Sequence, residues 1–219
     1  MTAIPQLCLS LANGDVETDR LAALLDAVPI ASVRLPASCG ALVTVVQAGG
    51  AAALIDDDAE AAKRVAADGV HLTLEQADLD IAVPDADDDA PSPAVVRLQS
   101  ARAVVGEDAI VGADAGVTRH LAMELAEAGA DYVAFASGDG VEARDAFAEH
   151  VGWWAALFEV PCVARCSSLE DIDAVAPARP EFIELAWPSL ASAAEAERHV
   201  RQMAQAVLAA AEETEAQAS

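Results

Sequence analysis

Lysine is almost absent from this sequence, since Lys63 is its only lysine in 219 residues. Cationic residues are scarce overall, with 12 lysines and arginines against 37 aspartates and glutamates and a formal net charge of -25. Such an acidic surface repels the phosphates of nucleic acids and of anionic membranes. We therefore expect no nucleic acid and no membrane as a partner. The single lysine also excludes any catalytic scheme that needs two of them.

Aromatic residues and long apolar runs are also scarce. Aromatics make up 4% of the chain although 54% of it is hydrophobic, so small and branched aliphatic side chains must fill the core. No apolar run reaches the roughly 18 residues that a membrane span needs. The four cysteines lack a CxxC metal spacing, and no signal peptide is recognisable, which predicts a reduced, cytoplasmic protein.

Eight predicted strands alternate with helices along the chain. Repeated right-handed βα units close into a barrel, so we predict a single (β/α)8 TIM barrel over residues 1–211, followed by a polar tail at 212–219. An open doubly wound sheet has the same local alternation and is the alternative. The predicted strands are 6–11, 30–35, 51–55, 70–72, 109–112, 130–135, 160–164 and 181–186. The predicted helices are 17–27, 39–48, 59–67, a short one at 99–104, 118–128, 142–158, 168–176 and 191–211.

Acidic residues follow the third predicted strand, where Asp56, Asp57 and Asp58 end an apolar run. Parallel α/β proteins place their chemistry at the carboxyl ends of strands, so these acids are candidates for a functional site. Their other interpretation is that they begin a helix, whose dipole favours negative charge. A second acidic stretch, 78–93, contains prolines and has no periodicity, which predicts an exposed loop.

Five segments occur in an order that resembles the thiamine phosphate synthase and thiazole tautomerase family. They are IDDD (55–58), ADGVHL (67–72), IVGAD (110–114), GADYVAF (129–135) and VPCVA (160–164). The resemblance implies a barrel that joins a pyrimidine diphosphate to a thiazole phosphate carboxylate and releases pyrophosphate. Its implied partner is a small phosphorylated heterocycle, and a homodimer is expected by analogy with the family.

The resemblance also implies a magnesium site at the ends of strands three and four. Asp57 matches one family ligand, and Asp56 stands where the family has asparagine. At the second ligand position the chain has Gln76, so the neighbouring Glu75 is the carboxylate that could replace it. Carboxylates that converge in this way suit Mg²⁺, which prefers oxygen ligands.

For the phosphate groups, the resemblance assigns Arg34 to the diphosphate as the matching catalytic arginine. The family's lysines are missing, and Arg144 is a candidate replacement. Arg165, Ser167 and Ser168 stand where the family has a Gly-Gly phosphate cradle, and they could form a different anion site. The alternative for Ser168 is that it only caps the next helix.

The phosphate assignment meets one further difficulty, because Asp114 replaces the family's serine and would repel a phosphorylated ligand. These departures leave three hypotheses open. The protein is a thiamine phosphate synthase-like transferase, a family member with a degenerate site that binds a phosphorylated ligand or a protein partner, or a changed enzyme such as a metal-assisted lyase or isomerase.

Overall fold

Eight parallel strands close into a barrel in the computed structural model, which describes residues 5–11, 16–73, 91–116, 118–136, 140–188 and 192–217. Each strand pairs with its neighbour in sequence, and β1 pairs with β8. The predicted single (β/α)8 TIM barrel is therefore confirmed, and the open sheet is excluded. The strands are β1 Gln6–Ser10, β2 Ile30–Leu35, β3 Ala52–Asp56, β4 Gly69–Leu72, β5 Ile110–Gly116, β6 Tyr132–Ala136, β7 Cys162–Cys166 and β8 Phe182–Ala186.

Helices surround the barrel, and two of them adjoin 3-10 segments at Ala37–Leu42 and Ala176–Ala178. Among the described residues, none of these helices is long and apolar enough to cross a membrane. The helices are α1 Thr18–Ala27, α2 Val43–Ala48, α3 Ala59–Arg64, α4 Pro93–Val105, α5 Arg119–Glu127, α6 Val141–Leu157, α7 Leu169–Val175 and α8 Ala193–Gln217.

Helix α4 is longer than the short helix predicted at 99–104. It begins where the Ser92 hydroxyl accepts a hydrogen bond from the Val95 amide, and Pro93 takes the first helical position. Proline suits this position because its missing N–H would have no intrahelical partner there. Helix α8 likewise runs to Gln217, beyond the predicted end at residue 211. Most of the acidic stretch 78–93 lies outside the described residues.

The two faces of the barrel strands differ in chemistry. Alternate residues such as Val33, Ile55 and Phe135 face the helices, and together with helical side chains they form one continuous apolar core. The residues between them point to the barrel axis, where Arg34, Glu184 and other charged groups are buried. The hydrophobic core is therefore the layer between sheet and helices, and the barrel interior is polar.

Gly112 makes room for one of the interior side chains. A Cβ atom at this position would lie 2.0 Å from Cζ of Tyr132, which is far inside van der Waals contact. The ring of Tyr132 lies across the backbone of β5 at this residue. Glycine is required here because of this close approach, and the contact places the phenol beside His71.

Candidate active site

The carboxyl ends of the strands bring arginines and carboxylates from distant parts of the chain into the barrel. We call the resulting cluster the interior network. It joins strands β2 to β8 through direct hydrogen bonds, and its members are Arg34, Asp56, His71, Asp114, Tyr132, Arg165 and Glu184.

Arg34 lies at the centre of this network and is only 2% exposed. Its Nε donates to Oδ1 of Asp56 at 2.9 Å, and its Nη1 donates to Oε1 of Glu184 at 3.1 Å. Burial acts to lower the pKa of the guanidinium, but the two carboxylates outweigh it and raise the pKa. Arg34 is therefore a permanent cation that holds both acids in place. Its contact with a diphosphate remains a prediction.

Arg165 is the more accessible arginine of the network, with 29% of its side chain exposed. Its Nη1 donates to both oxygens of Asp114, at 2.9 and 2.7 Å, and its Nε donates to Oε1 of Glu184 at 2.9 Å. Burial acts to raise the pKa of Asp114, but the hydrogen bond and charge of His71 and the charge of Arg165 lower it well below its usual value. The charge of Asp114, from which we expected repulsion of phosphate, is thus compensated within the barrel.

His71 and Tyr132 complete the network inside the barrel. His71 is fully buried, with Nδ1 at 2.7 Å from the Tyr132 hydroxyl and Nε2 at 3.0 Å from Oδ1 of Asp114. Burial raises the pKa of Tyr132 well above its usual value, so the phenol is neutral near pH 7 and can donate to the imidazole. A continuous chain of hydrogen bonds therefore connects Tyr132 through His71 and Asp114 to Arg165.

Asp57 follows β3 in a left-handed backbone conformation, with φ of 56°. Its Oδ1 accepts from the Thr73 amide at 2.8 Å, and its Oδ2 accepts from the Thr73 hydroxyl at 2.6 Å. Arg97 of helix α4 also donates to Oδ1, at 3.1 Å. Left-handed conformations of non-glycine residues cost energy and concentrate at functional sites. Asp57 is therefore a strained, well-anchored carboxylate at the carboxyl end of the barrel.

The predicted magnesium ligands are not assembled by the residues that the structure describes. Asp56 binds Arg34, and Asp57 binds Arg97, whereas Glu75 lies outside the described residues. Within the described ranges, no group of three or more His, Cys, Asp or Glu side chains could hold a metal ion. The described carboxylates therefore do not by themselves fit a magnesium ion, and magnesium remains a prediction.

Ser168 caps helix α7, as one of its two interpretations predicted. Its hydroxyl accepts from the Asp171 amide in a capping box. Oδ2 of Asp171 accepts from the Ser167 amide and hydroxyl, both at 3.0 Å, and from the Ser168 amide at 3.1 Å. Oδ1 accepts from Nε of Arg144 at 3.1 Å. A carboxylate of the chain itself thus occupies the donors that we had assigned to phosphate.

Hydrogen bonds act against burial in setting the charge of Asp171. Burial acts to raise its pKa, but the bonds from Ser167, Arg144 and Ser168 outweigh this effect and lower it. Asp171 is therefore ionised near neutral pH. Arg144, the candidate replacement for the missing lysines, is bound to this carboxylate.

Two important residues escaped the sequence analysis. Glu184 lies on β8 between two arginines, and its only sequence signal is an acid inside an apolar strand, FIELA. Arg97 lies on helix α4, whose start is marked by the Ser92-Pro93 capping signal. The apolar-strand signal could have identified Glu184 as an interior group, and the Ser-Pro signal could have placed Arg97 on a helix that faces Asp57.

A closed βα barrel with paired arginines and carboxylates in its interior places this chain in the class of TIM-barrel proteins. The thiamine-phosphate synthase of Rhodospirillum centenum is 37% identical over 164 residues, which cover 73% of this chain and 68% of that protein. This chain belongs to the thiamine-phosphate synthase family. No protein-family model matches it.

Other relatives agree with this assignment. The thiamine-phosphate synthase of Erythrobacter litoralis is 38% identical over 117 residues, or 51% of this chain, and the match spans about half, 46%, of that protein's length. The thiamine phosphate pyrophosphorylase of Pyrococcus furiosus has the same fold, with a TM-score of 0.66 over 94% of this chain and 97% of that one. Because its sequence is only 18% identical, it supports the fold alone.

Proposed function

We propose that this protein is a thiamine-phosphate synthase. It joins a pyrimidine diphosphate to a thiazole phosphate and releases pyrophosphate. The observation that carries the proposal is the 37% identity with a thiamine-phosphate synthase along 68% of that protein's length. The paired arginines at the carboxyl end of the barrel support it, because catalytic groups of this fold occupy that end.

Three arginines at this end are suited to bind the phosphate groups of the substrates. The guanidinium of Arg165 is held by Asp114 and Glu184. Arg97 donates a hydrogen bond to Asp57, and Arg144 donates one to Asp171. Guanidinium groups bind phosphate through parallel hydrogen bonds.

Arg165 is the first choice for the leaving diphosphate. Two carboxylates fix its orientation while 29% of the side chain remains accessible. A cation that is oriented before the substrate binds stabilises the charge that develops on a leaving group. Arg34 holds Glu184 and Asp56 and so supports this geometry from inside the barrel.

Magnesium is the cofactor that the family resemblance implies, and Asp57, Asp56 and Glu75 are the residues that would have to hold it. When bound, it would neutralise part of the charge of the leaving diphosphate. To hold the ion, Asp57 would have to give up its contact with Arg97, whose positive charge the ion would repel. Asp57→Asn is therefore expected to abolish any stabilisation of the protein by magnesium, as measured by thermal unfolding.

The assay for the proposal follows pyrophosphate while the protein is incubated with the pyrimidine diphosphate, the thiazole phosphate and magnesium. Release is expected only when both substrates are present, and chelation of magnesium with EDTA should stop it. Arg165→Met should lower kcat/KM by about 100-fold or more, because removal of one charge-stabilising donor has effects of that size. Arg64→Met, on helix α3, is the matched control and should leave the rate unchanged.

The absence of pyrophosphate at high enzyme concentration would overturn the proposal. The alternative is a non-catalytic family member that binds a phosphorylated heterocycle, and one observation favours it: Asp171 already fills the predicted phosphate cradle. A ligand that binds only the native state raises the melting temperature. Stabilisation by thiamine phosphate without turnover would therefore identify the alternative.

A further inference from the structure

Arg97 of helix α4 binds two oxygen atoms of the kind that a metal ion would use. Its Nη2 donates to Oδ1 of Asp57 at 3.1 Å, and its Nη1 donates to the carbonyl oxygen of Thr73 at 3.0 Å. Carboxylate and backbone carbonyl oxygens are typical protein ligands of hard divalent cations. The guanidinium of Arg97 therefore lies in the position of a cation beside Asp57.

Asp57 is held in place by contacts that do not involve Arg97. The amide and the hydroxyl of Thr73 donate to its two carboxylate oxygens, at 2.8 and 2.6 Å. The Asp57 amide also donates to the carbonyl oxygen of His71 at 2.9 Å, which fixes the backbone at the end of β3. Removal of Arg97 should therefore leave the Asp57 carboxylate and the Thr73 carbonyl in place as two oxygen ligands.

The contact between Arg97 and Asp57 is accessible to solvent, so it can be exchanged for another. The exposed fraction of the side chain is 23% for Arg97 and 41% for Asp57. Arg34, which binds Asp56 at the end of the same strand, is only 3% exposed and also binds Glu184. Because exposed ion pairs contribute little to stability, a ligand of higher charge can separate Arg97 from Asp57 at low cost.

A divalent cation and a diphosphate would each bind one member of this ion pair. The cation would bind Asp57, where the charge of Arg97 opposes it. The diphosphate would bind Arg97, because guanidinium groups bind phosphate oxygens through parallel hydrogen bonds. Mg²⁺ is usually held by one or two carboxylates together with phosphate oxygens of a substrate. Each ligand therefore favours the binding of the other, whereas the ion alone meets an arginine.

We propose that Arg97 takes the place of a metal ion at Asp57 until a diphosphate draws the guanidinium away, so that the ion and the diphosphate bind together. Arg97 excludes the free ion from Asp57, and it then contributes a contact to the diphosphate. The inference rests on the proposed function for its choice of ligands, a divalent cation and a diphosphate. Its test measures binding and needs no turnover.

The two roles of Arg97 predict effects of opposite sign in one variant, Arg97→Met. Free Mn²⁺, which suits the same oxygen ligands as Mg²⁺ and is followed by its EPR signal, should bind this variant about tenfold more tightly, because a like charge beside the ion is removed. The preformed complex of Mg²⁺ with inorganic pyrophosphate should bind it about tenfold more weakly in isothermal titration calorimetry, because a charge-assisted contact is lost. A residue with only a structural role would weaken both.

Three further variants control for charge, location and folding. Arg64→Met makes the same change at an exposed arginine of helix α3 and should alter neither affinity. Asp57→Asn added to Arg97→Met should remove the gained Mn²⁺ binding. Arg97→Gln removes the charge but keeps a polar side chain, and it should reproduce both effects of Arg97→Met. Thermal unfolding should show that every variant is folded, since Thr73 holds Asp57 without Arg97.

Several results would overturn the proposal. Unchanged or weaker Mn²⁺ binding in Arg97→Met would refute the exclusion of the ion, and unchanged binding of magnesium pyrophosphate would refute the contact with the diphosphate. Unfolding of both Arg97 variants would refute an exchangeable contact. Opposite shifts with a silent pyrophosphate assay would overturn the synthase alone, whereas pyrophosphate release with unshifted affinities in Arg97→Met would overturn only the role of Arg97.

Discussion

Asp114 keeps its negative charge inside the barrel because Arg165 and His71 both contact its carboxylate. Arg165 donates to both of its oxygens, and His71 lies at 3.0 Å from one of them. The pKa of Asp114 is accordingly far below its usual value, despite its burial. The native protein thus stabilises the ionised carboxylate of Asp114 more than the unfolded chain does. Asp114 therefore makes a pH-dependent contribution to stability.

We predict a loss of stability in acid that Asp114→Asn reduces. A carboxyl group whose native pKa is depressed stabilises the fold above its unfolded pKa of about 3.9, and this contribution falls by up to about 1.4 kcal/mol per pH unit below that value. The free energy of unfolding, measured in urea between pH 6 and pH 2.5, should therefore decline less steeply in Asp114→Asn than in the unmodified protein. At pH 6 the variant should be less stable by about 3 kcal/mol, because the substitution leaves Arg165 without its partner.

Asp108→Asn is the control for this experiment, since Asp108 is exposed in the turn that precedes β5. It should leave both the stability at pH 6 and the acid slope unchanged. Identical acid slopes in Asp114→Asn and the unmodified protein would contradict the assignment of a strongly depressed pKa to Asp114.

Single residues were predictable from sequence to different extents. Helix capping was predicted as one of two roles for Ser168, because it follows from the local sequence pattern. The role of Glu184 was not predicted, since its partner Arg34 is 150 residues away and only barrel closure brings the two together. The sequence also did not predict that Asp171 occupies the phosphate cradle. A capping box does not reveal from which further donors its carboxylate accepts hydrogen bonds.

At the scale of elements, strand β5 passes so close to the Tyr132 side chain of β6 that only glycine fits at position 112. Gly112 faces the ring of Tyr132, and the register places these two residues directly opposite each other. The phenol can reach His71 only because the strand has no side chain at this point.

We predict that Gly112→Ala destabilises the protein by about 3 kcal/mol or more, which is the upper end of typical overpacking effects. The added Cβ would lie 2.0 Å from Cζ of Tyr132, so either the ring or the strand must move. The midpoint of urea unfolding measures the change. Gly112→Ala combined with Tyr132→Leu should recover part of the loss, since the smaller side chain makes room for the methyl group.

Gly152→Ala is the matched control, because Gly152 lies inside helix α6 and its Cβ would meet only Ala178, at an ordinary 3.5 Å. Alanine in a helix interior is favoured over glycine by roughly 0.5–1 kcal/mol, so this variant should be slightly more stable. If Gly112→Ala behaved like Gly152→Ala, the close approach of Tyr132 to β5 would be wrong.

The existence and type of the helices and strands were more predictable than their first and last residues. All eight strands were expected from apolar runs, and the β-branched segment at 39–48 was correctly predicted as helical because of its place between two strands. Helix α4 was underestimated, since its apolar residues do not form a clear stripe and its capping signal Ser92-Pro93 was assigned to a loop. Strand β5 extends to Gly116, beyond the predicted end at residue 112, because its polar residue Asp114 is paired inside the barrel.

At the scale of the whole molecule, the excess of acids determines how the fold responds to salt. The surface acids that give the net charge of -25 repel one another, whereas the interior network is shielded from solvent. Added salt therefore weakens the repulsion more than it weakens the buried ion pairs. The screening length decreases from about 30 Å at 0.01 M to about 3 Å at 1 M.

We predict that the melting temperature rises steadily as sodium chloride increases from 0.01 to 1 M, because screening relieves the repulsion between surface acids. Differential scanning calorimetry measures the rise. Choline chloride should produce the same effect, since screening does not depend on the cation. A constant or falling melting temperature would contradict the prediction, and a rise with sodium alone would indicate specific ion binding instead.

The shared contacts of the interior network also restrict how this barrel can change over generations. Arg34, Arg165 and Glu184 form one connected group, so the effect of a substitution at one depends on the residues at the other two. A single replacement leaves a buried charge without its partner, and most such substitutions destabilise the protein. New variants of the barrel interior are therefore accessible mainly through simultaneous exchanges of an arginine and its acidic partner. A mutant library that randomises these positions jointly should yield folded members that libraries of single substitutions never contain.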